Sequence, residues 1–141
     1  MSPEALRSYF LAFPEVSEET PFDAVTAVYK TAGKMFALID WNEKPLRCNL
    51  KCDADRAQRL RDQYSFVLPG YHMNKRYWNT VIFEDSLSDV LLLEWVRHSF
   101  EEVVSKMPKA QRERLMAAVP QAVVPCEVPD VELRESLRKK I

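Results

Sequence analysis

Leu46-Arg47-Cys48-Asn49-Leu50-Lys51-Cys52 alternates apolar and polar side chains without a break. That period of two is the signature of a half-buried β-strand. Leu46, Cys48, Leu50 and Cys52 are expected to face a core, with Arg47, Asn49 and Lys51 turned to water. A strand with one wet face belongs to an antiparallel sheet covered on its other side. The fold class follows: α+β, two layers, with helices on one face of an antiparallel sheet.

Upstream, residues 25–30 are β-branched and aromatic and read as a strand. Thr31-Ala32-Gly33 fits a short hairpin loop. Lys34 to Trp41 is nearly all apolar, as in a strand covered on both faces. Asn42 to Pro45 makes a tight turn. Residues 15–23 carry turn and charged residues and read as a surface loop. Before them, Ser2-Pro3-Glu4 opens a helix with a hydroxyl cap, proline at the first helical position and an acid in the first turn. Leu6, Phe10 and Phe13 form its apolar stripe and Pro14 stops it.

Downstream, Asp53 or Asp55 can cap a helix to about Tyr64, with Ala57, Leu60 and Tyr64 inward and Arg56 and Arg59 outward. Phe66 to Leu68, a Pro69-Gly70 turn and a polar-aromatic loop lead into a strand from Trp78 to Phe83. Ser86 with Asp89 approximates a capping box for a long helix ending near Met107. The order is α-β-β-β-α-β-β-α plus a C-terminal tail. The domain is expected over residues 1–107. Residues 108–141 form an extension with a short helix at 109–118 and a Pro-rich tail.

Composition narrows the function classes. The chain has 141 residues, the usual size of one domain. Two glycines exclude a Gly-rich phosphate loop together with a dinucleotide fingerprint, and no cofactor is expected. No apolar run reaches a membrane span and no signal sequence opens the chain, so no membrane partner is expected and the default compartment is the cytosol, a cytoplasmic protein. Cys48, Cys52 and Cys126 are too few and too odd for a disulfide framework. On a strand, Cys48 and Cys52 stand roughly 13 Å apart, too far to share one zinc. No metal site is expected, and no nucleophile elbow, zincin motif or kinase set is present, so the chain is read as non-enzymatic. His98 shares a helix face with Glu94 and Glu102, which reads as a solvated face.

Net charge is −1 and the pI is about 6.1, low for a dedicated DNA binder. The distribution is uneven. Residues 44–76 hold eight Lys/Arg against three Asp/Glu, whereas residues 84–106 hold two against six. A neutral chain with a basic middle can present a basic face.

Pro-Gly-Tyr-His-Met-Asn-Lys-Arg-Tyr-Trp-Asn-Thr-Val, residues 69–81, resembles the signature of the MmcQ/YjbR family. Pro21-Phe22, Gly33-Lys34-Met35-Phe36-Ala37 and Leu50-Lys51 match further landmarks, so the resemblance runs through about residues 3–107. It implies a two-layer fold similar to secretion chaperones, and DNA as a partner. In that role Lys75 and Arg76 would neutralise phosphates. Tyr71, His72 and Trp78 would form the aromatic part of the contact, with Tyr71, Tyr77 and Trp78 stacking on bases. Asn79 would bond a base edge, and Arg47 and Lys51 would extend the footprint. Beside that role, Tyr77 and Trp78 also read as packing residues, Trp78 first because it begins a strand, and Asn79 as a pin for its own loop. Two other readings stand beside it. The aromatic 71–78 loop or the sheet face would serve a protein partner, or a small molecule would sit between sheet and helices against Tyr71, His72 and Trp78.

Overall fold

In a computed structural model, which describes residues 1–119, four helices and six strands build an α+β fold. Helix α1 (Pro3–Ala12) begins as its sequence dictates: Ser2 Oγ accepts the Ala5 N–H at 3.1 Å, and Leu6 and Phe10 are buried. Strands β1 (Val16–Glu19), β2 (Thr26–Thr31), β3 (Lys34–Asp40) and β4 (Arg47–Lys51) follow. Then come α2 (Ala54–Gln63), β5 (Val67–Pro69), β6 (Trp78–Ile82), α3 (Asp89–Ser105) and α4 (Lys109–Ala117). The sheet is antiparallel throughout, in the order β1-β2-β3-β4-β6-β5.

Residues 15–23 are not simply a loop. Val16–Glu19 pairs with β2, Glu18 opposite Tyr29. Its sequence, Val-Ser-Glu-Glu, has one apolar side chain and no visible alternation, because an edge strand draws its pairing from the neighbour's backbone and is guarded by charge. Glu18 repays the position by accepting from the Tyr29 hydroxyl at 2.5 Å and from Arg7 at 2.7 Å. The long helix also starts later than expected. Ser88, not Ser86, is its cap, accepting from the Leu91 N–H.

A β-bulge between Tyr29 and Lys30 leaves Phe36 without a partner on β2 and turns its ring into the core. There it meets Phe10, Phe13 and Phe100, with ring centroids 5.8–6.4 Å apart. Helices α1, α2 and α3 cover this face of the sheet. Leu115 of α4 is buried in the same core, and Arg114 pairs with Glu15 at 2.9 Å. The core therefore runs past residue 107, where the domain was expected to end. The Pro-rich tail and Cys126 lie outside the described residues.

The second sheet face is not bare. Val28 and Trp78 are buried yet stand outside the core cluster, and Asn49, expected in water, is buried as well. The segment between β5 and β6 reaches two of them, bonding Asn49 and crossing Trp78.

Candidate functional site

The loop from Gly70 to Tyr77 is held by its own backbone and by four polar side chains, Asn49, Arg61, Asn74 and Thr80. Its base closes where the Gly70 N–H donates to the Trp78 carbonyl at 2.8 Å. The chains approach so closely that a Cβ on Gly70 would lie 2.7 Å from the Trp78 Cβ and 2.9 Å from its carbonyl oxygen. Farther along, the Met73 N–H donates to Gly70, the Tyr77 N–H donates to Asn74, and the Asn74 side chain accepts from the Arg76 N–H at 3.1 Å.

Two cross-strand partners on the second sheet face, Asn49 of β4 and Thr80 of β6, clamp the start of the loop. Asn49 Nδ2 donates to the Tyr71 carbonyl at 3.2 Å, and the Tyr71 N–H donates to Thr80 Oγ1 at 3.0 Å. The Thr80 hydroxyl in turn donates to Asn49 Oδ1 at 2.6 Å. On the helix side, Arg61 of α2 donates through Nε to Asn79 Oδ1 at 2.7 Å and through a terminal nitrogen to the Lys75 carbonyl. Asn79 Nδ2 completes the tie by donating to the Ala57 carbonyl at 3.3 Å.

These ties redistribute the expected contact residues. Asn79 is 3 % exposed and its amide is used within the fold, so it offers no edge to a base. Trp78 is 8 % exposed and packs where Gly70 crosses it, so it is not a stacking platform. Both position the loop. Lys75, Arg76, Tyr71 and His72 are all exposed, and the Arg76 guanidinium lies 5.5 Å from the Tyr77 ring centroid. Tyr71 is 68 % exposed, and its ring centroid is 3.9 Å from that of His72. His72 holds a left-handed backbone, φ 60°, which is uncommon outside glycine.

The cations divide equally sharply. Among the described residues no ion pair engages Lys51, Lys75 or Arg76. Arg47 stands 3.4 Å from Glu43, a charge contact in which its Nε finds no hydrogen-bond partner. Arg56, expected on the outside of α2, is turned in and bonds Glu94 at 2.6 and 2.7 Å. Of the eight cations of residues 44–76, Arg56 and Arg61 are therefore spent within the fold and Arg47 stands beside a carboxylate.

Between the loop and the β2–β4 part of the second sheet face lies a groove of about 710 Å³, bordered by Phe22, Asp40, Arg47, Tyr71 and His72. It opens on the side away from the helices, and Trp78 is not among the residues lining it. Between the sheet and helices α2 and α3 lies a cavity of about 10 Å³ beside Trp95 and His98, room for one water at most, and Tyr71, His72 and Trp78 do not line it. His98 is not solvated as expected. Its Nε2 accepts the Asp53 N–H at 3.2 Å, and burial, followed by the charge of Arg56, pushes its pKa down to about 4. Cys48 and Cys52 are buried free thiols. Burial raises both, Cys52 to about 12, and no cluster of metal-ligating side chains occurs among the described residues.

Sequence reasoning missed Arg61, Thr80 and the groove. Arg61 had a signal: it stands four residues after Ala57, on the stripe read as inward, and an arginine there needs an internal partner. Phe22 is 73 % exposed at the end of a segment that reads only as loop, and nothing local links it to Tyr71.

Known proteins share both this sequence pattern and this fold. A family model described as YjbR matches residues 11–102. The uncharacterized protein YjbR of Escherichia coli K12 is 29% identical over 116 residues, covering 82% of this chain and 98% of that protein. The uncharacterized protein YbdF of Escherichia coli O157:H7 is 30% identical over 112 residues, 79% of this chain and 92% of that one. The crystal structure of Deinococcus radiodurans protein DR2400, described as a DUF419 domain, superposes with a TM-score of 0.75 at 37% identity, covering 80% of this chain and 86% of its own. A Pseudomonas syringae protein, 21% identical, shares the fold with a TM-score of 0.62 over 73% of this chain and 99% of its own. With the family model spanning most of the folded core, the chain belongs to the YjbR family.

Proposed function

We propose that this protein is a non-enzymatic nucleic-acid-binding protein whose contact surface is the Gly70–Tyr77 loop. The observation that carries the reading is the state of Lys75 and Arg76: both exposed, adjacent, on a backbone pinned by Arg61 and Asn74, and unpaired with any carboxylate among the described residues. Cations held ready in this way gain most from phosphate, because no internal ion pair must break first. Tyr71 and Tyr77 stand exposed on either side of them, as a surface that meets bases requires. Exposed aromatic rings suit a protein partner equally well, and the two unpaired cations are what favour nucleic acid.

Fluorescence anisotropy against labelled DNA at low and physiological salt tests it. Micromolar or tighter binding that weakens with salt, and that falls in Lys75→Ala/Arg76→Ala, is the expected result. No binding at low salt refutes it and leaves the aromatic loop to a protein partner.

A further inference from the structure

Resting on the nucleic-acid reading, we infer that the groove beside the loop seats an unpaired base, so that the ligand is single-stranded nucleic acid rather than duplex. The groove is about 710 Å³, within the range of roughly 300–1,000 Å³ that takes a small organic ligand, and too small for a duplex. Two of the most exposed large hydrophobic side chains of the described residues, Phe22 and Tyr71, both border it. Such rings left in water are costly on an isolated surface, and unstacked bases are the planar groups that cover them without regard to sequence.

Charge decides how a strand would lie. Asp40 and Glu43 line the groove with Arg47, Glu43 at 3.4 Å from it, and these carboxylates repel a phosphate. A base is uncharged and carries both donors and acceptors, so it suits a floor with both signs of charge. The phosphates would run outside, over Lys75 and Arg76, four and five residues along the same loop from Tyr71. A paired base cannot enter, because its edge and both its faces are already occupied in the duplex.

The backbone at the rim is built to hold its shape. The Asn49–Thr80 clamp fixes the Tyr71 amide and carbonyl, and His72 follows directly at φ 60°. A non-glycine residue held in that region by surrounding bonds is a feature of ligand-gripping loops. Tyr71 thus presents its ring from a fixed backbone, with little ordering left to do on binding.

The test uses the full chain and a labelled mixed-sequence strand, alone and annealed to its complement, at one salt concentration. The strand should bind at least tenfold more tightly than the duplex. Phe22→Ala and Tyr71→Ala should each weaken strand binding by about tenfold, a clearly larger loss than either causes with the duplex. Phe22→Leu and Tyr71→Leu, which keep apolar bulk and lose the ring, should behave like the alanine variants, while circular dichroism confirms the fold. Equal or tighter duplex binding, or strand binding indifferent to both rings, overturns the inference. If that binding is still lost in Lys75→Ala/Arg76→Ala, the nucleic-acid reading survives without the groove. Absence of binding to either probe overturns both.

Discussion

Arg61 Nε stands 2.7 Å from Asn79 Oδ1, joining the last turn of α2 to the start of β6. The same guanidinium holds the Lys75 carbonyl. Truncating it leaves a buried amide oxygen without its donor, and hydrogen bonds to charged groups contribute about 1.5–3 kcal/mol. Arg61→Ala should therefore destabilise the protein by about 2 kcal/mol in urea denaturation. Hydrogen exchange should accelerate at the amides of residues 75–77. Arg61→Lys keeps the charge but not the planar fork, and should recover less than half of the loss.

Ser99 takes the place of a missing rung between β3 and β4. Its hydroxyl accepts the Lys51 N–H at 2.8 Å and donates to the Phe36 carbonyl at 2.5 Å, one position past Ala37–Leu50, where the β3–β4 pairing ends. Ser99→Ala strands two backbone groups in a fully buried place. The expected cost is about 2–3 kcal/mol, read from the midpoint of a denaturant curve with unchanged slope. Ser99→Thr keeps the hydroxyl and adds a methyl to a packed site, so it should cost less than alanine only if α3 can shift to admit it.

These two residues also mark what the sequence made legible. The strand at 46–52, the hairpin around Gly33 and the amphipathic helices declare themselves through period and punctuation, because their pattern is local. Arg61, Ser99, Asn49 and Thr80 act across the sheet or between layers, and a polar residue's partner is a fact of tertiary structure. The edge strand β1 was hidden for a related reason: charge that guards an edge looks the same as charge in a loop. Of the expected site, the exposed half (Tyr71, His72, Lys75, Arg76) was legible as a polar-aromatic loop. Packing for Trp78 and loop-pinning for Asn79 were legible as alternatives, and what decides for them, Gly70 crossing Trp78 and Arg61 reaching Asn79, is tertiary.

His98 gives the fold a pH dependence. Its pKa falls from 6.5 to about 4 on folding, so between those values the unfolded chain binds the proton and the folded one resists it. Stability from this group is complete above pH 6.5 and is lost as pH falls toward 4. Glu18, held below its ordinary value by Arg7, and Asp23, held down by the Val25 and Thr26 N–H groups, add to the loss toward the acid end. The folding free energy should drop by on the order of 1–2 kcal/mol between pH 6.5 and 4.5, allowing for the ring's partial contact with solvent. His98→Gln retains an acceptor for the Asp53 N–H and should flatten that drop in denaturant titrations at stepped pH.

Gly70 is needed for space. An added methyl meets Trp78 at 2.7 Å, against a strand that cannot retreat without breaking the Gly70–Trp78 hydrogen bond. Gly70→Ala should cost about 1–3 kcal/mol, as overpacking does. It should also broaden or shift the amide resonances of residues 71–73, because the clamp on Tyr71 is built on that crossing.

Charge counting and charge availability make different predictions for binding. By count, all eight cations of residues 44–76 are equal. By geometry, Arg56 is committed to Glu94, Arg47 leans on Glu43 and Arg61 points into the fold, while Lys75 and Arg76 are unpaired. Each phosphate neutralised contributes about 0.7–0.9 to the slope of log affinity against log salt. Lys75→Ala and Arg76→Ala should each lower that slope by about that amount. Arg56→Ala should leave the slope unchanged, even where it weakens the fold by exposing Glu94. A slope that falls equally for Arg56→Ala would mean that total charge, not the loop, meets the phosphates, and the contact surface would have to be sought elsewhere on the protein.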